Sequence, residues 1–183
     1  EKLIDEYWKE ESFNDSCQSN EFKNEAKKII INYVRHNQLA LNADSYSEYD
    51  LNVELESDVF RGKIDRLDIN ENNLVSIVDY KTSKKKKTAN YAKKDLQLLY
   101  YSLLYSKTEN RDTFNFPITS KLVYLRDFED PEVEVEFSEE DLKEVEKRIK
   151  DIAREIKTYN FKPRKNSICY FCEYKRLLCP LYK

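Results

Sequence analysis

Glycine occurs once in 183 residues and proline four times, which excludes a Gly-rich linker or a low-complexity chain. Methionine is absent and the chain opens on Glu1, so it reads as a piece of a longer polypeptide. No run approaches the roughly 18 apolar residues of a membrane span, and no signal-peptide pattern stands at the start. The expected setting is cytoplasmic. No internal repeat is present. Histidine occurs once, as His36, near the end of a predicted helix, where a cation is an ordinary surface choice; a catalytic base is the less common reading. The net charge of −3 does not by itself announce a nucleic-acid binder, and the distribution of charge matters more.

What is abundant is charge and aromatic surface: 37% charged residues and 13% aromatics, chiefly tyrosine. The length suits one domain, 1–183, with 160–183 as a cysteine-containing tail, and hardly suits two. EKLIDEYWKEES reads as the end of a helix. From Glu21 to His36, Phe22, Ala26, Ile29, Ile30 and Val34 recur at helical spacing. YDLNVEL, DVFRGKIDRLDI and NLVSIVDYK are strand-like runs separated by polar breaks. Tyr91 to Tyr105 returns to helix. Leu122 to Arg126 and Val133 to Phe137 read as strands, and Ser138 caps a helix whose stripe is Leu142, Val145, Ile149, Ile152 and Ile156. The expectation is a mixed α/β domain.

The stretch SIVDYKTSKKKKTAN poses the functional question, because Asp79 and Lys81 lie on one side of a strand. A hairpin centred on Asn72 pairs residues whose numbers sum to 144. Asp65 then faces Asp79, Lys63 faces Lys81, Leu67 faces Ile77 and Ile69 faces Val75, all on one side of the sheet. Facing carboxylates repel, more so when buried. A hard divalent ion such as Mg²⁺ relieves that repulsion and can stabilise charge on a phosphoryl oxygen. Lys81 beside it can orient water and offset developing charge. The plainer reading, which spacing alone favours, is a set of ion pairs at a solvated sheet edge. A one-residue slip in register would part the two acids.

RGKIDRLDI followed by VDYKTSK resembles the core of the PD-(D/E)XK nuclease superfamily, in its RecB-like branch. The resemblance extends to DLQLLYYSLL, where Gln97 and Tyr101 share a helix face, and to SICYFCEYKRLLCPLY, with Cys169, Cys172 and Cys179. These motifs span residues 45 to 183 and look most like the nuclease domain of UvrD- or AddB-type helicase-nucleases. The resemblance implies a restriction-endonuclease-like mixed central sheet flanked by helices. It also implies an Mg²⁺- or Mn²⁺-dependent deoxyribonuclease, with exonuclease action on single-stranded DNA ends in helicase-coupled recombination or repair. Asp65 and Asp79 would bind metal, Lys81 would position water, and Gln97 with Tyr101 would support the site. A helicase domain or subunit is the implied protein partner, and no membrane is involved. The family's metal-binding histidine follows a Cys-Pro segment; His36 does not sit in that pattern and is not given the role. The rival is a catalytically silent, cluster-stabilised DNA-binding module of a helicase.

The Cys-x2-Cys-x6-Cys spacing resembles ligation of a 4Fe-4S cluster, which needs a fourth thiolate; zinc would accept thiolates too. Cys17 is the one internal candidate for a fourth, and it lacks the family's Cys-Pro context, so the fourth ligand is expected outside the fragment. Lys84, Lys85, Lys86 and Lys87 are candidate contacts to the DNA backbone or a solvated loop. Tyr91, Tyr100 and Tyr105 read mainly as core, with base stacking as the alternative.

Overall fold

The computed structural model describes residues 2–37, 43–108, 116–159 and 161–182. Helices α1 (Lys2–Tyr7) and α2 (Ser16–Asn37) precede strands β1 (Ala43–Leu55), β2 (Asp58–Asn70) and β3 (Val75–Lys81). Helices α3 (Ala89–Ala92) and α4 (Leu96–Ser106) follow, then β4 (Ile118–Tyr124), β5 (Glu132–Phe137) and α5 (Glu139–Lys157). The chain divides into two compact units, Glu1–Glu146 and Lys147–Lys183.

The five strands form one sheet in the order β1-β2-β3-β4-β5. Neighbours run antiparallel except β3 and β4, which are parallel. A parallel pair needs a crossover, and α3 and α4 supply it. The sheet is therefore mixed and flanked by helices, as expected.

Local chemistry explains the elements. The β2–β3 turn is held by Asn70, whose side-chain oxygen accepts from the backbone N–H groups of Asn72 and Leu74, both at 2.9 Å. Asn73 takes the left-handed conformation, φ 57°, which asparagine tolerates. That turn sets the register: Arg66–Val78, Leu67–Ile77, Asp68–Ser76 and Ile69–Val75 pair, each summing to 144. Leu51, Ile64, Leu67, Val75, Ile77, Leu98, Leu103, Leu104, Ile118 and Leu122 fill the core. At α5, the Ser138 hydroxyl and backbone N–H both donate to Asp141 while the Asp141 N–H donates back to Ser138, a reciprocal cap.

Several boundaries differ from the sequence reading, the early start of β1 among them. Helix α2 starts at Ser16, five residues before Glu21. The predicted helix 91–105 is two helices broken at Lys93–Asp95. The fourth strand starts at Ile118 and stops at Tyr124, because Leu125 and beyond turn toward Asp127. In the second unit, the tail folds into short turns at Ser167–Tyr170, Glu173–Arg176 and Pro180–Tyr182.

Candidate active site

Strand alternation sends Asp79 and Lys81 toward α4 and sends Tyr80, between them, toward α2. Asp79 is 2% exposed, although no apolar strand position calls for a carboxylate. Its neighbour Asp65 lies one step past the last β2–β3 pair, Arg66–Val78. There the ladder gives way to a side chain: Asp65 Oδ2 accepts from the Tyr80 backbone N–H at 2.8 Å. The same point is irregular toward β1. The β1–β2 ladder steps from Ser47–Arg66 to Tyr49–Ile64, passing over Glu48 and Asp65, and Glu48 has φ 52°. Gly62 faces Tyr101 of α4 whereas Arg66, four residues on, reaches Tyr33 of α2, so strict alternation along β2 fails between them and the single side-by-side row expected from Lys63 to Ile69 is broken. Lys63 accordingly lies away from Lys81, with its ammonium 3.6 Å from Glu48 and 3.8 Å from Asp50.

Lys81 Nζ stands 2.5 Å from Asp79 Oδ2 and donates to Gln97 Oε1 at 3.1 Å. Gln97 Nε2 in turn donates to the Tyr101 hydroxyl at 3.3 Å. The amide of Gln97 thus has its carbonyl toward the lysine and its NH₂ toward the tyrosine. Tyr101 packs over β2 at Gly62, where an added Cβ would lie 3.1 Å from the ring. The chain's one glycine is placed for this close approach rather than for a turn. Next door, the Tyr100 hydroxyl donates to the Arg61 carbonyl at 2.9 Å.

Burial pushes the Asp79 carboxyl above its ordinary value, against the lowering pull of Lys81, and the charges of Asp65 and Asp95 push it further up. Lys81 is less enclosed. Burial works to lower its pKa, but Asp79, then Asp95 and Asp65, outweigh that and hold the ammonium above the ordinary lysine value. The surrounding acids therefore favour the charged form of Lys81, which suits a cation's role better than a proton acceptor's. Asp95 did not stand out in the sequence. It caps α4, its Oδ1 accepting from the N–H groups of Gln97 at 2.9 Å and Leu98 at 3.3 Å. Its position ahead of an apolar helical run was the available signal.

The donor set suits a hard divalent cation. Asp79 Oδ2 is buried and, despite the ionic contact with Lys81, has no hydrogen-bond partner of good geometry among the described residues. Two carboxylates with water and substrate phosphate are a normal complement for Mg²⁺ or Mn²⁺. Among the described residues no group of three or more His, Cys, Asp or Glu is gathered to hold a metal, so these two acids would share the ion with non-protein oxygens.

The other sequence candidates sit elsewhere. Lys84, Lys85 and Lys87 are exposed in the loop after β3. Lys86 is engaged by Asp130 at 2.6 Å, and the Lys87 ammonium lies 4.5 Å from the centre of the Tyr91 ring. Tyr105 is core, 2% exposed, whereas Tyr91 is open. His36 Nε2 lies 3.1 Å from the Phe128 carbonyl. In the second unit, Cys169, Cys172 and Cys179 are free thiols. Burial, followed by Cys169 and the other two thiols, raises the pKa of Tyr182, so the three cysteines share that phenol's neighbourhood. Cys17 is exposed on α2, in the first unit.

The sheet is thus mixed and five-stranded, with an acid, Asp65, on β2 and an acid-x-lysine, Asp79 and Lys81, on β3. The family model for the PD-(D/E)XK nuclease superfamily matches residues 1–180, and the chain belongs to that superfamily. Its fold is the restriction-endonuclease-like one. No curated protein matches the sequence. Among solved structures, SSO0001 is similar at 18% identity and a TM-score of 0.45, covering 89% of this chain and 80% of that one. A protein of Eubacterium rectale provisionally designated an exonuclease is similar at 16% identity and a TM-score of 0.53, covering 85% of this chain. This chain spans 61% of that one, and at such identities the likeness concerns the fold.

Proposed function

We propose that the domain is a divalent-metal-dependent deoxyribonuclease whose site is built from Asp65, Asp79, Lys81, Gln97 and Tyr101. The observation that supports this most is the buried Asp79 carboxylate, which carries the Lys81 ammonium 2.5 Å from its Oδ2 and has a second acid, Asp65, close enough to push its pKa up. Two buried or half-buried acids set against one ammonium leave negative charge that a divalent cation would balance. Asp65 and Asp79 hold the ion. The bound Mg²⁺ or Mn²⁺ supplies Lewis-acid polarisation of the phosphoryl group and a lowered pKa for water. Lys81 stays charged through the reaction, orienting the attacking water and offsetting charge on the phosphorane-like transition state. Gln97 fixes the lysine's direction, and Tyr101 fixes Gln97. Lys84 and Lys85, with Lys87, draw the phosphate backbone toward the loop after β3.

The substrate we infer is single-stranded DNA near an end, cleaved exonucleolytically beside a helicase domain or subunit in recombination or repair, within the RecB-like branch of the superfamily. This finer reading rests on the sequence resemblance to UvrD- and AddB-type helicase-nucleases. The 4Fe-4S assignment for Cys169, Cys172 and Cys179 rests on their resemblance to the C-terminal cysteines of the superfamily's iron–sulfur subgroup. Among the described residues these thiols are not gathered as a metal-holding group, and no reaction step runs through them.

Cleavage of end-labelled single-stranded DNA with Mn²⁺ tests the proposal. The wild-type chain is expected to degrade it, and Asp79→Ala to lose at least about 100-fold in rate, the range typical for loss of one key electrostatic contact, while still binding DNA in a gel shift. An inactive wild type that binds DNA would instead support the rival, a silent binding module.

A further inference from the structure

We propose that Tyr33, on α2, and Arg66, on β2, form a clamp behind the site that sets the separation of Asp65 and Asp79, and with it the affinity for the divalent ion. The inference rests on the metal-site reading above. Beyond Arg66–Val78 the backbone ladder between β2 and β3 ends, so direct pairing of these two strands does not reach the two acids. On the site side the Tyr80 N–H donates to Asp65 at 2.8 Å. The face turned to α2 carries a denser network. Arg66 donates through Nε and Nη2 to Asp68 Oδ2 at 3.0 and 2.7 Å, and through Nη1 to the Tyr33 hydroxyl at 2.6 Å. The Tyr33 and Tyr80 hydroxyls meet at 2.5 Å, and their rings pack edge to face at 5.4 Å. Asp68 is tied in turn to Ser45 of β1 at 2.6 Å.

The sequence positions give the network its consequence. Arg66 is one peptide from Asp65. Tyr80 lies between Asp79 and Lys81, and its own N–H is the donor to Asp65. A shift of either clamp residue therefore moves a site carboxylate directly through the chain. Tyr33 bridges the two ends, so the docking of α2 is felt at the metal. Tyr33 and Arg66 are positioning residues that touch neither ion nor substrate.

The test is Mn²⁺ binding to the full 183-residue chain, without nucleic acid, by calorimetry and by the electron-spin signal of free Mn²⁺. Tyr33→Phe keeps the ring contact and removes the shared hydroxyl. It is expected to stay folded and to weaken Mn²⁺ binding roughly five- to tenfold, the worth of about one hydrogen bond. The Mn²⁺ concentration for half-maximal cleavage should rise in step, with the rate at saturating Mn²⁺ unchanged. Tyr80→Phe, which leaves the Arg66–Tyr33 bond in place, should shift binding in the same direction and serves if Tyr33→Phe does not fold. Wild-type affinity in both variants, with binding lost in Asp79→Ala, would overturn the clamp and leave the metal site standing. Undiminished binding in Asp79→Ala, or none in the wild type, would overturn the site reading and the clamp with it.

Discussion

A carboxylate as enclosed as that of Asp79, 2% exposed, is unfavourable in its ionised form unless a cation compensates. Because its folded pKa is raised above the ordinary 3.8, its contribution to stability is fully present below that value. The contribution is lost as pH rises through the folded pKa. Without divalent metal at neutral pH, Asp79→Asn should therefore melt higher than wild type, and the gap should close as pH falls toward 4. Added Mn²⁺ should raise the wild-type midpoint and leave Asp79→Asn unmoved; thermal melts across pH measure both. The register from Arg66–Val78 to Ile69–Val75 was legible in the sequence because a hairpin turn at Asn72 fixes it by local chemistry alone; the break at Asp65, where a side chain replaces the ladder, was not. Nor were Arg66 and Tyr33, since a contact between residues 33 apart in the chain depends on how α2 docks and leaves no periodic trace.

Helix α4 owes its starting point to Asp95, which satisfies two otherwise orphaned N–H groups and so fixes where Gln97 and Tyr101 emerge. Asp95→Ala should cost about 1 kcal/mol, a fall in melting temperature of roughly 2–4 °C for a chain this size. Asp95→Asn, which can still accept, should recover most of it in the same melt; no recovery would mean the aspartate acts through its charge rather than as a cap. Element types were readable from hydrophobic period, and the boundaries were less so. The break at Lys93–Asp95 hides in a run of helix-forming residues, because a capping aspartate inside such a run looks like any charged surface position. The early start of β1 at Ala43 follows from pairing with Asn70 across the sheet, a tertiary demand that overrides weak local preference.

At the scale of the molecule, the parallel β3–β4 pair places the acid-x-lysine at the end of a central strand, where the crossover through α3 and α4 returns to cover it. That arrangement could not be read from the sequence, since nothing local distinguishes a parallel partner from an antiparallel one. All five proposed site residues, Asp65, Asp79, Lys81, Gln97 and Tyr101, lie in the unit Glu1–Glu146, and the three tail cysteines lie in Lys147–Lys183. The proposed cleavage chemistry is thus contained in the first unit. Crystals soaked in Mn²⁺ and measured for anomalous scattering give the most direct test. The account predicts a peak within coordination distance of both the Asp65 and Asp79 carboxylates; a peak bound elsewhere, or none at millimolar Mn²⁺, would contradict it.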